Sequence, residues 1–108
     1  MNENKKEITT IKIADYTGAF AENKDTARKI RLEFIFPAIE KGSNVVLDFL
    51  GVDSSTQSFI HALISELIRK RGVDILDVVS FGNCNETIRK IISIVVEYMQ
   101  HKEKPFPS

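Results

Sequence analysis

The chain has 108 residues, 43% hydrophobic and 28% charged, enough for one folded core and too few for a second domain. Its 15 basic and 15 acidic side chains cancel, removing the long-range pull toward phosphate that nucleic-acid binders show, so DNA and RNA are not expected partners. Cys84 is the only cysteine, which excludes an internal disulfide and a cysteine-based zinc site, and no apolar run is long enough for a signal peptide or a membrane span; a cytoplasmic protein is expected.

Residues 1–7 are polar and charged and are expected to be a flexible leading segment, followed by one domain over 8–101 and a tail over 102–108. Ile8, Ile11 and Ile13, with Thr9 and Thr10 between, have the composition of a first strand. Asp15-Tyr16-Thr17-Gly18 breaks that pattern and reads as a loop. Asn23 or Asp25 is then placed to cap a helix predicted over Asp25 to Lys41. Pro37 falls inside this helix, where it lacks an N–H for the carbonyl of Glu33 and its ring collides with it, a conflict worth ~3 kcal/mol. A kink or break near Phe36 is the expected outcome, with Gly42 ending the last turn.

Val45-Val46-Leu47-Asp48-Phe49-Leu50 is too short for a helix and rich in β-branched and aromatic residues, and it reads as a central strand covered on both faces. Gly51 and the cluster Asp53-Ser54-Ser55-Thr56-Gln57-Ser58 read as a turn into a helix. That helix carries Phe59, Ile60, Leu63, Ile64, Leu67 and Ile68 at the spacing of one face. Arg69-Lys70-Arg71 suits the negative end of its dipole, and Gly72 ends it. Ile75 to Phe81 reads as the next strand, left through Gly82 and Asn83, with Asn83 and Glu86 spaced as a capping box. The last helix carries Ile88, Ile91, Ile92, Val95, Val96 and Met99 on one face. The tail around Phe106, with Pro105 and Pro107, does not continue it.

Strand and helix alternate three times, so the expected fold class is α/β: a mostly parallel central sheet of three to four strands with right-handed crossovers and three main helices. Ligands and partners of such sheets meet the carboxyl ends of the strands. Two turns qualify, one from Gly51 to Ser58 and a second holding Gly82, Asn83 and Asn85.

The run Pro37-Ala38-Ile39-Glu40-Lys41-Gly42, then Val45-Val46-Leu47-Asp48-Phe49-Leu50-Gly51-Val52, then Ser58-Phe59, resembles the STAS-like domains of unknown function, relatives of the STAS domain of anti-sigma factor antagonists. Asp15 and Gly18 match that group as well, and the similarity extends over roughly Ile8 to Met99. The resemblance implies a small α/β sandwich of STAS type that switches through protein contact. It also implies a partner, an ATPase or kinase of the anti-sigma type, that phosphorylates a serine at the start of the helix after the central strand. Asp53-Ser54-Ser55 looks like the Asp-Ser-Ser of true antagonists, while counting from the strand places that motif nearer Thr56-Gln57-Ser58, with Gln57 at the phosphorylated position.

Set against that, each hydroxyl of the turn has a plainer use. Ser54, Ser55, Thr56 and Ser58 are placed to accept a phosphate where free N–H groups and the dipole would stabilise it, or one of them caps the helix. Asp48, out of place in an apolar strand, is expected near the strand's exposed end, supporting the site with Gly51 by accepting N–H groups from the Asp53 to Ser58 turn. His61 is expected to face outward, and with His101 far along the chain no metal site forms. No histidine lies at a strand end to activate Ser or Cys84, and no Gly-rich phosphate loop is present, so no enzyme activity and no cofactor are expected. The reading is a non-catalytic regulatory module using Asp53, Ser54, Ser55, Thr56, Ser58 and His61 toward a protein partner. The alternative is a nucleotide or anion sensor built on the same turn.

Overall fold

A computed structural model describes residues 7–103. The leading segment before Glu7 and the tail around Phe106 lie outside the described residues. The chain begins with strand β1 (Ile8–Lys12), one turn of helix α1 (Ala14–Thr17) and a two-residue strand β2 (Phe20–Ala21). Helix α2 (Lys24–Ile30) continues through a π turn (Arg31–Ile35) into α3 (Phe36–Glu40), and β3 (Asn44–Asp48) and a second two-residue strand β4 (Ser54–Ser55) follow. Helix α4 (Gln57–Arg71), a 3-10 turn (Val73–Asp77), β5 (Val79–Gly82) and α5 (Glu86–Glu103) complete the order.

The three longer strands form a parallel sheet in the order β1-β3-β5, so the valine-rich segment is its central strand. Each strand lies on the same side of the one before it. Two right-handed crossovers that step in one direction must place their helices on the same face of the sheet. The alternation of burial follows from this. Ile11, Ile13, Val45, Leu47, Phe49 and Val79 are buried under the helices, while Ile8, Thr10 and Lys12 are exposed on the other face and Val46 is half-buried there. The expectation that β3 is covered on both faces is therefore wrong. Asp48 belongs to the uncovered face, which removes the anomaly of a carboxylate in an apolar strand.

The helical layer is centred on α4. Phe59, Ile60, Leu63, Ile64, Leu67 and Ile68 are all fully buried, as their spacing predicted. At 100° per residue they sweep an arc of about 180°, which fits a helix flanked on both sides and backed by a sheet. Its flanks are α2 and α5. Gly42 and Gly72 end α3 and α4 with φ of 86° and 80°, as expected.

The conflict at Pro37 is resolved without a break. The N–H of Phe36 reaches back five residues to the carbonyl of Arg31, and Phe36 keeps helical angles of −59° and −46°. This π turn shifts the register by one residue just ahead of the proline, so that its missing N–H falls in the first turn of α3, where no partner is needed. The same segment is tied to α4 by Arg31, which donates through Nη1 to the carbonyl of Ala62 at 2.6 Å.

Four further boundaries differ from the sequence reading. The loop after β1 holds a helical turn, because Thr17 N–H and Tyr16 N–H both reach the carbonyl of Ile13. The run from Ile75 begins as a 3-10 turn, and only Val79–Gly82 is strand. Ser54 and Ser55 are strand rather than turn, paired in parallel with Phe20 and Ala21. Helix α5 extends to Glu103, past the expected start of the tail.

Candidate functional site

Both turns singled out from the sequence lie at the carboxyl end of the sheet; Asn85 ties them together, and Asn83 ties the second to the end of β3. At the exit of β3 the Asp48 carboxylate accepts the N–H of Leu50 at 2.9 Å and the side-chain N–H of Asn83 at 2.9 Å, both through Oδ1. Its partners are thus its own strand exit and the second turn, not the Asp53 to Ser58 segment as expected. Asn85 donates through Nδ2 to the carbonyl of Asp53 at 2.9 Å. Gly51 has φ of 89°, the left-handed region that favours glycine, and a Cβ there would sit 3.4 Å from the Cβ of Ala14.

The cap of α5 expected at Asn83 is Asn85 instead, and with Ile88 three residues on no capping box forms. Asn85 accepts the N–H of Ile88 through Oδ1 at 2.8 Å and the N–H of Arg89 through its carbonyl at 2.9 Å, the two bonds of an N-cap. Asn83 has φ of 55° and turns the chain out of β5, of which Gly82 is the last residue. At α2 the choice between two caps falls to Asn23, which accepts from Asp25 and Thr26.

The structure separates the hydroxyls of the first turn by what they do. Thr56 is the N-cap of α4, accepting the N–H of Phe59 at 3.0 Å. Ser55 is buried, and its hydroxyl donates to the carbonyl of Thr56 at 3.0 Å. Ser54 is half-buried beside Phe20, while Asp53 is exposed and its N–H is held by the carbonyl of Ala19 at 2.7 Å. Ser58, in the first turn of α4, is exposed next to Gln57. Ser54 and Ser58 are therefore the hydroxyls within reach of a visitor.

His61 is half-buried, its ring 6.1 Å from that of Tyr98 and tilted by 59°. With Gln57, Ser58, Ile94, Val95 and Tyr98 it lines a groove of about 320 Å³ between α4 and α5. Ile94 and Tyr98 stand 48% and 53% exposed. Neither belongs to the buried face of α5, and two large apolar residues four apart on its other side are the signal that the sequence carries for them. Tyr16, Phe20 and Leu50 are likewise exposed, on the segments that leave β1 and β3.

Two titrating groups are perturbed. The Asn83 and Leu50 donors, helped by Lys12, hold the Asp48 carboxyl below its usual value against a smaller opposing effect of burial. A carboxylate depressed in the folded state stabilises the fold fully above the unfolded value of about 3.9, and that contribution is lost as pH falls through the folded value. Thermal midpoints should therefore drop more steeply below about pH 4 for the wild type than for Asp48→Asn, which has no charge to lose. Equal acid sensitivity of the two proteins would contradict this. At Cys84 burial pushes the thiol up, opposed in part by Arg89, so the sulfur is protonated near neutrality and a weak nucleophile.

Among the described residues no three of His, Cys, Asp and Glu gather as metal ligands, and no helix is long and apolar enough to cross a membrane. No curated protein and no solved structure matches the chain. The family model of the STAS-like domain of unknown function matches residues 26–89, from the first turn of α2 through both strand-exit turns into α5. With more than half of its length matched and a parallel three-stranded sheet under a helical layer, the chain belongs to the family of STAS-like domains.

Proposed function

We propose that the protein is a non-catalytic regulatory module of the reducing cytoplasm that binds another protein through the head of α4 and the groove between α4 and α5. The observation that supports this reading best is the groove itself. It joins the exposed Ser58 to two half-exposed apolar side chains, Ile94 and Tyr98. Aromatic residues that are apolar in body and polar at the tip are the side chains on which binding energy concentrates at protein interfaces. The scaffold beneath is fixed by the Asp48–Asn83 and Asn85–Asp53 bonds, so partner contact need not order the loops first.

The resemblance to anti-sigma factor antagonists and the position of the exposed hydroxyl support a particular partner chemistry. An ATPase or kinase of the anti-sigma type is the proposed partner, with Ser58 or Ser54 as the modified residue. A phosphate on Ser58 would meet the free N–H groups and positive dipole end of α4, so modification would change the surface without unfolding it.

Immobilised wild-type chain should retain an ATPase of the histidine-kinase fold from cell extract. Tyr98→Ala and Ser58→Asp should each weaken that complex at least tenfold by titration. Ser58→Asp should meanwhile gain about 0.3–1 kcal/mol of stability from its charge at the helix N-terminus, which separates lost binding from lost folding. Equal affinity of all three chains for the retained ATPase would remove the proposal.

A further inference from the structure

Strand β1 lies at the edge of the sheet, paired on one side with β3. The bonds that flank the β1–β3 ladder, Asn44 N–H to Glu7 carbonyl and Ile13 N–H to Asp48 carbonyl, both at 2.9 Å, show that odd-numbered residues of β1 point their backbone groups at β3. In a parallel ladder the N–H and C=O of one residue point the same way and successive residues alternate. The backbone groups of Ile8, Thr10 and Lys12 therefore point outward, and no described residue bonds to them. The strand carries little of the usual protection of an edge. Ile-Thr-Thr-Ile-Lys has no proline, its only charge is at its last position, and Ile8 lies 66% exposed. The opposite edge differs: β5 is one residue shorter and ends in glycine, with the left-handed Asn83 turning the chain across its end.

We propose that two copies of this chain associate about a two-fold axis at Thr10, with β1 antiparallel to β1 of the second copy. Thr10 then faces its own equivalent and Ile8 faces Lys12. Each of these pairs exchanges both backbone bonds, because all three residues present outward donors and acceptors. The exposed Ile8 is covered by the aliphatic stem of Lys12, and no two like charges meet. The result is one six-stranded sheet. Antiparallel self-pairing of one edge satisfies both copies and leaves neither with a free β1, so assembly stops at two. A single strand pair buries less than the roughly 1,200 Å² of stable complexes, so a reversible dimer in the micromolar range is expected. The pairing lies on β1, away from the α4–α5 groove, and stands whatever that groove binds.

Light scattering of the intact chain between about 1 and 200 µM, the range where such weak contacts form, should show the mass rising from 12.2 kDa toward twice that value. Thr10→Pro removes an outward N–H without touching the β3 ladder, and Thr10→Lys sets like charges face to face on the axis. Both should remain monomeric throughout that range, with Thr10→Lys carrying the test if circular dichroism shows the proline variant unfolded. As a positive control, Thr10→Cys combined with Cys84→Ser should form a disulfide dimer under mild oxidation, since paired residues place their Cα atoms about 5.5 Å apart. A wild-type mass that stays at one chain would overturn the proposal, whether because the edge stays free or because it serves a peptide of another protein. So would a dimer that persists in Thr10→Lys.

Discussion

Replacing Leu63 by alanine is expected to cost roughly 3–5 kcal/mol of unfolding free energy. Leu63 has no exposed surface and lies within the buried arc of α4, the helix flanked by α2 and α5. Truncation there loses the transfer energy of three carbons and leaves a cavity that surrounding helices, held by the sheet on one side and by each other on the rest, close only in part. Small domains are stable by about 5–15 kcal/mol in total, so the variant should be partly unfolded at 37 °C or close to it. Urea unfolding followed by circular dichroism measures this through the shift in midpoint at unchanged slope. A loss below about 1 kcal/mol would mean that the helical layer relaxes freely, against the packing described.

Asn85→Ala is expected to cost about 2 kcal/mol, because one side chain makes two unlike bonds. Its oxygen caps α5 through the N–H of Ile88, and its amide nitrogen holds the carbonyl of Asp53 on the neighbouring turn. Asn85→Asp separates the two. It keeps the cap acceptor and adds a negative charge where the helix dipole favours one, but it cannot donate to Asp53. Its stability should fall between wild type and alanine. Hydrogen exchange from Asp53 to Thr56 should nonetheless speed up in both variants, since the tie that fixes that segment is gone from both. Exchange unchanged in both variants would show that β4 alone holds the segment.

Much of this architecture was legible beforehand. The alternation of strand and helix, the buried face of α4, the terminal glycines and the two turns at the strand exits all arise from local pattern, and the resemblance carried by the segments from Pro37 to Phe59 agreed with them. Several local choices were missed where one contact a few residues away outweighed propensity. Asn83 and Asn85 have the same side chain two residues apart; Asn85 became the cap because Asn83 was needed in the left-handed turn and at Asp48. Val73–Asp77 is apolar enough for a strand, yet it coils into a 3-10 turn before the chain can reach its place beside Val45. Pro37 announced a disturbance near Phe36, but its form, a π turn, rests on the Phe36 N–H finding the carbonyl of Arg31.

The division at the candidate site has the same origin. Four hydroxyls within five residues look equivalent in sequence, and pairing of β4 with a two-residue β2 that has almost no signature of its own sealed Ser55, leaving Ser54 and Ser58 accessible. By itself the sequence determined the three longer strands and the main helices in outline and which side of α4 is apolar, because those follow from the 2.0 and 3.6 periodicities of a chain's own side chains. Only the tertiary structure decided that α2, α4 and α5 lie on one face of the sheet, that Asp48 stands on the other, and that no described residue pairs with the outer edge of β1. Those depend on the order in which strands sit side by side, and strand order is a relation between distant segments that no periodicity within one segment records.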